Sequence, residues 1–350
     1  MDRVPSALAR VAYIPALVFE ALVRARGGLY SAALLPRRRL PAPVISIGNM
    51  TMGGSGKTPL VICVAQILLK LGLTPAILTR GYGRVRSGES HILSPGERVP
   101  SPASTLGDEP ALIRRHLPST WMGVSKDRFL AGTIISKRGP HVVFVLDDGF
   151  QHRRLHRDLD IVIIDSSQPL RSNRVFPRGT LREPASGLSR CDLVVINDSN
   201  DASRCVEEEI RDIKCDATIF RCKQTIRPLV PFVSWHESAG ETDMVPPKSA
   251  YLVGALGNPE RFRSDVRRLG IDIKGARFFR DHYKPTSKDW QACIEQARRS
   301  GVEALITTEK DAVKIGQNPD FPLLVAVQST EISDAHGFET VLKTKIEEKL

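Results

Sequence analysis

Short, largely apolar runs alternate along this chain with stretches of helical periodicity. The runs at residues 44–47, 75–78, 142–146, 161–164, 193–196, 217–220, 250–253, 304–306 and 323–327 are continuous rather than alternating, the pattern of strands buried on both faces. Strands interleaved with helical segments in this way predict an α/β fold with a mostly parallel sheet. Pro228, Pro231, Pro246 and Pro247 cluster with polar residues across 224–248. That shift divides the chain into a core at 41–223, a linker at 224–248 and a smaller α/β unit at 249–350. In the smaller unit, Asn258-Pro259 reads as a helix N-cap followed by proline at the first helical position. The last helical pattern, at 337–349, could return to either unit.

One junction carries recognisable chemistry. The apolar run at 44–47 leads into Gly48-Asn49-Met50-Thr51-Met52-Gly53-Gly54-Ser55-Gly56-Lys57-Thr58 and then a helical stretch from Pro59 to Leu71. Glycines let the backbone N–H groups of Gly53, Gly54, Ser55, Gly56, Lys57 and Thr58 turn inward around phosphate. Lys57 then reaches the β/γ-phosphates and the Thr58 hydroxyl reaches Mg²⁺. The strict pattern asks for glycine at position 51, where this chain has Thr51. A second junction, Val145-Leu146-Asp147-Asp148-Gly149, ends a buried strand in two carboxylates, the usual place for a Mg²⁺-positioning acid downstream of a phosphate loop. Asp-Asp-Gly is also ordinary turn chemistry, and the phosphate loop decides between the two readings. Taken singly, the remaining polar clusters have plain readings: Asp108 as a helix cap, His282 as a surface turn residue, Glu309-Lys310-Asp311 as a solvated helix start.

Composition narrows the class. The 350 residues are 41% hydrophobic and 25% charged, an ordinary globular balance. Six scattered cysteines with no paired spacing read as free thiols in a reducing compartment. A net charge of +11 implies acidic partners such as nucleic acid, anionic lipid or phosphorylated substrates. Residues 1–40 hold an apolar stretch interrupted by Arg10, Pro15 and Glu20, too broken for a membrane span. On a helical register Leu8, Val11, Ala12, Pro15, Val18, Phe19 and Leu22 share one face, and Arg3, Ser6, Arg10, Glu20 and Arg24 mark the other. With Arg26, Arg37, Arg38 and Arg39 nearby, the stripe suits either packing on the core or lying on an anionic membrane surface, Pro15 being the point where it could break.

Taken together, GGSGKTP, TRGYG, GDEP, DDGFQHRRLHRDLDIVIID, LREP, GALGNPERF, DHY and TEKDAVK, in this order from about Val44 to Lys314, closely resemble the tetraacyldisaccharide 4′-kinase (lipid A 4′-kinase) family of Gram-negative bacteria. Two departures stand out: Ser55 where the family often has threonine, and Phe176-Pro177-Arg178-Gly179-Thr180 where an LPAGP-like run is more usual. The resemblance implies a P-loop kinase core joined by a short β linker to a second α/β domain. It also implies ATP and Mg²⁺ as cofactors, and transfer of the γ-phosphoryl group to the 4′-hydroxyl of an acylated disaccharide 1-phosphate, giving lipid IVA. In that reading Asp108 is the base, hydrogen-bonded by His282 of the other domain, with Lys57 at the phosphates. Thr58, Asp147, Asp148 and Glu183 are the metal candidates, and Arg80, Tyr82, Glu109, Gln151 and His152 contact substrate. It further implies a peripheral location at the cytoplasmic face of the inner membrane, with no obligate protein partner.

Two other classes fit less well. A P-loop GTPase or ATPase driving another protein's maturation needs an Asn/Thr-Lys-x-Asp run for guanine, and Asn197-Asp198-Ser199-Asn200 and Thr308-Glu309-Lys310-Asp311 both fail it. A nucleic-acid binder needs aromatics interleaved with its basic runs, and aromatics make up only 6% of this chain.

Overall fold

A computed structural model describes residues 13–349 apart from 83, 85–87, 100–101, 140, 199–202, 238–243, 282 and 317, and apart from the side chains of 227 and 228. Residues 3, 6, 8, 10, 11 and 12 of the expected N-terminal stripe, and His282, therefore lie outside the described residues.

Among the described residues, the strands are β1 (Val44–Asn49), β2 (Thr74–Thr79), β3 (His91–Leu93), β4 (Trp121–Val124), β5 (Val142–Asp147), β6 (Leu159–Asp165), β7 (Leu193–Asn197), β8 (Thr218–Pro231), β9 (Ser249–Ala255), β10 (Asp272–Phe279), β11 (Ala304–Thr308) and β12 (Leu323–Ile332). They form one sheet in the order β10-β9-β11-β12-β8-β7-β6-β1-β5-β2-β4-β3. Pairing is parallel except between β8 and β12 and at the β3–β4 edge. Every residue of β1, β5, β6 and β7 is buried, which is why these strands read as unbroken apolar runs. Successive side chains serve opposite faces. Val143 and Val145 join Leu60, Val64 and Leu68 of the helix Lys57–Lys70, while Phe144 and Leu146 join Ala131 and Ile135 of the helix Arg128–Arg138.

The strand order places the chemistry. The chain runs from β1 through its helix to β2, yet β5 lies between them, so the carboxyl ends of β1 and β5 emerge side by side with Ile47 opposite Asp147. This is a topological switch point, where open α/β sheets bind ligands.

β8 and β12 tie a second lobe to the first. The start of β8 pairs with β7, from Thr218 to Cys222. From Cys222 to Pro231 it runs antiparallel to β12, whose first half pairs with β11. Two strands thus straddle both lobes, and residues 224–231 of the expected linker are strand. Three strands were not expected. β3 has three residues and β4 four, the latter with a glycine. β10 is a half-exposed edge strand with a register shift beside Gly275, where a Cβ would strike the Tyr251 ring. The last helix, Ala335–Glu347, is capped by Asp334, which accepts from Gly337 N at 2.9 Å. It belongs to neither β9 nor β11. Its Phe338, Leu342 and Ile346 enter the first lobe's core, with Phe338 edge-on to Phe220 at 5.1 Å, so the unit read as 249–350 gives its final helix back to the first lobe.

The described part of the N-terminal helix spans Tyr13–Ser31 and includes Pro15 in its first turn. Arg153 fixes its second half, donating to Gly27 O at 2.8 Å and Ser31 Oγ at 3.1 Å. Ile14 (71% exposed), Leu17, Val18, Leu22 (64%) and Leu29 point outward. Phe19, expected on the same face as Val18 and Leu22, turns inward instead and meets Phe176 edge-on at 6.2 Å. Among the described residues, no helix is long and apolar enough to cross a membrane.

Candidate active site

The loop after β1 is built for an anion and braced from beneath. Gly53 and Gly56 adopt φ of 102° and 90°, the left-handed region that side chains disfavour, and Gly56 caps the helix Lys57–Lys70. A Cβ at Gly56 would also collide with the Gln224 amide, which donates to Gly56 O at 2.8 Å. Asn197 donates to Ser55 O at 3.3 Å and to Gln224 Oε1 at 3.2 Å. Asn49 donates to Thr51 O at 2.6 Å and Ser55 Oγ at 2.7 Å, and accepts from Lys57 Nζ at 3.2 Å. Thr51 needs no glycine because it is held extended, bridged to Leu181. Met52 N donates to Thr180 O at 2.7 Å and Arg182 N to Met50 O at 2.8 Å. The unusual 176–180 loop thus leads into a short ladder along the phosphate loop that delivers Arg182 to the site.

At the end of β5 the two carboxylates differ. Asp148, at φ 50°, turns into the cleft, where Arg182 Nη1 donates to both of its oxygens at 2.8 and 2.9 Å and Lys57 Nζ lies 3.5 Å away. Burial pushes its carboxyl up, but Lys57 and Arg182 outweigh burial and hold it below the usual range. Asp147 is 3% exposed and accepts from Thr79 Oγ1 at 2.8 Å. Burial, then Glu109 and Asp148, push it up to about 7 against the pull of Thr79 and Lys57. Glu183 is already neutralised by Arg190, at 2.9 and 3.1 Å, and accepts from Gln151 at 3.0 Å. His152 is pushed down to about 3 by burial and by Arg128, Arg157 and Arg154, so it is neutral at physiological pH.

These residues surround a cleft of about 980 Å³ between the lobes. Gly53, Gly54, Ser55, Gly56, Lys57, Thr58, Arg80, Tyr82, Glu109, Asp148, Gln151, His152 and Glu183 all line it. Asp147 and Asp108 (2% exposed) lie beneath its wall. Asp108 is not a cap: Gly107, at φ 99°, precedes it, and Asp108 opens the helix Asp108–His116. The plain reading of 309–311 as a solvated helix start is corrected by burial, because Glu309 and Asp311 are 4% and 2% exposed. Arg128, Gln224 and Arg261, which sequence reasoning assigned no role, and Arg182, which it noted only as part of the LREP run, also face the cleft. Each comes from a distant segment, and only Arg182, beside Glu183, carried a local signal.

N–H donors and fixed cations around an anion-sized loop, with carboxylates at the end of the adjoining strand, can position and neutralise a phosphoryl group, which is the equipment of a P-loop phosphotransferase. A family model described as tetraacyldisaccharide-1-P 4′-kinase matches residues 8–347, and the chain belongs to that family and is a kinase. Among similar proteins is the tetraacyldisaccharide 4′-kinase of Desulfotalea psychrophila, 34% identical over 336 residues that cover 93% of this chain and 94% of that one. The enzyme of the same name from Geobacter metallireducens is 37% identical over 317 residues, 90% of each chain. The crystal structure of the "apo" form of LpxK from Aquifex aeolicus in complex with ATP is 26% identical, with a TM-score of 0.74 over 97% of this chain and 99% of that one.

Proposed function

We propose that the cleft transfers the γ-phosphoryl group of ATP to the 4′-hydroxyl of a tetraacylated glucosamine disaccharide 1-phosphate, giving lipid IVA. The observation that carries this reading is the meeting of Lys57 and Asp148, 3.5 Å apart at the adjoining ends of β1 and β5, within a cleft that both lobes line. Lys57 and the N–H groups of residues 53–58 hold the β- and γ-phosphates, and Arg182 and Arg128, which also line the cleft, add positive charge. Asp108 takes the proton of the sugar hydroxyl as the new P–O bond forms, a role that asks for a buried, oriented carboxylate. His282 is assigned to hydrogen-bond that base.

Thr58, Asp147 and Asp148 suit Mg²⁺, since all are hard oxygen donors. The raised carboxyl of Asp147 marks a buried charge that a cation would compensate. Among the described residues, no three acidic, histidine or cysteine side chains converge to cage a metal, so phosphate oxygens and water would complete the shell, as is usual for this ion. Mg²⁺ bound there would supply charge neutralisation of the triphosphate. Glu183, committed to Arg190 and Gln151, is the fourth candidate and shapes the cleft wall.

The outward stripe of Ile14, Leu17, Val18, Leu22 and Leu29 supports docking on the cytoplasmic surface of the inner membrane, beside arginines that attract anionic headgroups. Purified protein incubated with Mg-ATP and the acylated disaccharide 1-phosphate should yield a product one phosphate heavier. Hydrolysis of GTP with no phosphate gained by the lipid would overturn the kinase reading. Sedimentation with anionic liposomes tests the docking: a Leu17→Ser/Leu22→Ser variant should bind less, and equal, salt-insensitive binding would refute it.

A further inference from the structure

The TEKDAVK segment of the second lobe does no work in the account above, yet it is one of the most densely paired stretches of the chain. Lys310 Nζ donates to Asp281 Oδ1 at 2.9 Å and lies 3.8 Å from Glu109 Oε1. One turn on, Lys314 Nζ lies 2.6 Å from Asp311 Oδ1 and 3.8 Å from Asp108 Oδ2, and donates to the Tyr283 carbonyl at 3.1 Å. The Lys314 side chain is 3% exposed. A lysine is rarely buried so deeply unless its charge is used.

Each lysine has the same double engagement. One partner is on the turn of the second lobe that flanks position 282, at Asp281 or Tyr283. The other is on the first turn of the helix that carries the base, at Glu109 or Asp108. Asp311 anchors the pair to its own lobe, accepting from Ala255 N at 2.9 Å and Thr308 Oγ1 at 2.8 Å. The far end of the Asp108 helix is held by the same segment: His116 Nε2 lies 2.8 Å from Glu309 Oε1, which also accepts from Trp235 Nε1 at 3.1 Å, while Arg115 stacks on the Trp235 ring at 3.8 Å. The second lobe thus grips both ends of the nine-residue helix Asp108–His116.

Charge explains why lysines are needed there. Asp108 and Glu109 of one lobe face Asp281 and Asp311 of the other across the two lysines. Four carboxylates at such a seam repel one another, and two ammonium groups between them convert that repulsion into attraction. A point charge with three rotatable donors can serve a carboxylate on each lobe and a carbonyl at once, which the planar fork of arginine does less readily.

We propose that Lys310 and Lys314 form a latch between the lobes that positions Asp108 by pinning the first turn of its helix to the second lobe. Lys310 reaches the cleft wall while Lys314 stays behind it; both are assigned as positioning residues, acting through the Asp108 helix. The inference rests on the assignment of Asp108 as base, made above.

A double-mutant cycle tests it, with the full-length protein, Mg-ATP and the acylated disaccharide 1-phosphate. Lys314→Met should lower kcat about 10- to 100-fold while the dissociation constant for Mg-ATP stays within about twofold. In an Asp108→Ala background the same substitution should cost less than about twofold more, because the group it positions is gone. Lys310→Met should show the same dependence with a smaller loss, and Lys310→Arg, which keeps the charge but not the compact donor, should recover only part of it. Thermal unfolding establishes that each variant folds, and if Lys314→Met does not, the Lys310 variants decide, since that side chain is 22% exposed. Losses that multiply in the Asp108→Ala background, or that appear equally in Mg-ATP affinity, would overturn the latch and leave the base assignment standing. Full activity of Asp108→Ala alone would overturn both.

Discussion

Replacing Asp147 with asparagine should make the metal-free enzyme more stable and less active, and the size of the gain follows from its surroundings. The carboxyl stands near 3.8 in the unfolded chain and is pushed up to about 7 in the folded one, by burial first and then by Glu109 and Asp148. The folded state therefore holds this proton more tightly than the unfolded state does. Its contribution to stability is greatest below the unfolded value and is lost as pH rises through the folded value. A difference of about three pK units corresponds to on the order of 4 kcal/mol by pH 8, and to less than half of that at pH 5. Asparagine keeps the acceptor for Thr79 and never ionises. In urea unfolding with EDTA present, the variant should gain on the native protein by about 2–3 kcal/mol between pH 5 and pH 8. Mg-ATP should stabilise the native protein more than the variant, whose kinase activity should fall sharply. A stability gap that does not change between the two pH values would show that Asp147 carries no uncompensated buried charge.

Asp108→Ala should lower kcat about 10²–10⁴-fold with little change in ATP affinity, measured by initial rates against both substrates. Its combination with His282→Ala should cost less than the product of the two if the residues act as a unit. Asp148→Ala should weaken Mg-ATP binding as well as rate, because its carboxylate meets Lys57 before any reaction begins; an unchanged Mg²⁺ dependence would leave Asp147 as the ligand. Gly56→Ala should abolish nucleotide binding by calorimetry, having both a left-handed φ and the Gln224 amide against it. Adding Gln224→Ala should relieve the clash but recover stability only in part and nucleotide binding not at all, since the backbone strain remains.

What could be read from the sequence was what short segments specify by themselves. The strands buried on both faces announced themselves because the middles of β1, β5, β6 and β7 are buried on both sides and largely apolar, with polar residues mostly at their ends. The phosphate loop did so because Gly53 and Gly56 need their left-handed φ. The N-cap at Asn258 was equally local, its side chain accepting from Arg261 N at 3.1 Å. Edge strands carry no such constraint, and β10, exposed along one side, gave no signal. Nor did partnerships across the fold: nothing near Arg182 in the chain points to Asp148, and nothing near Lys314 points to Asp108. Glu309 and Asp311 looked solvated for the same reason, since their burial comes from Trp235, His116 and Ala255, all far away in sequence.

The return of the helix Ala335–Glu347 to the first lobe bears on how the enzyme comes into being on the ribosome. By the time β8 has been made, every first-lobe residue of the phosphate loop and of the β5 acid pair has left the exit tunnel. The core beneath them still lacks Phe338, Leu342 and Ile346. That gap closes only after the entire second lobe has been synthesised and has fed β12 back beside β8. A nascent chain stalled anywhere between the two therefore presents an unfinished nucleotide lobe with an open apolar face, a species for chaperones rather than for ATP.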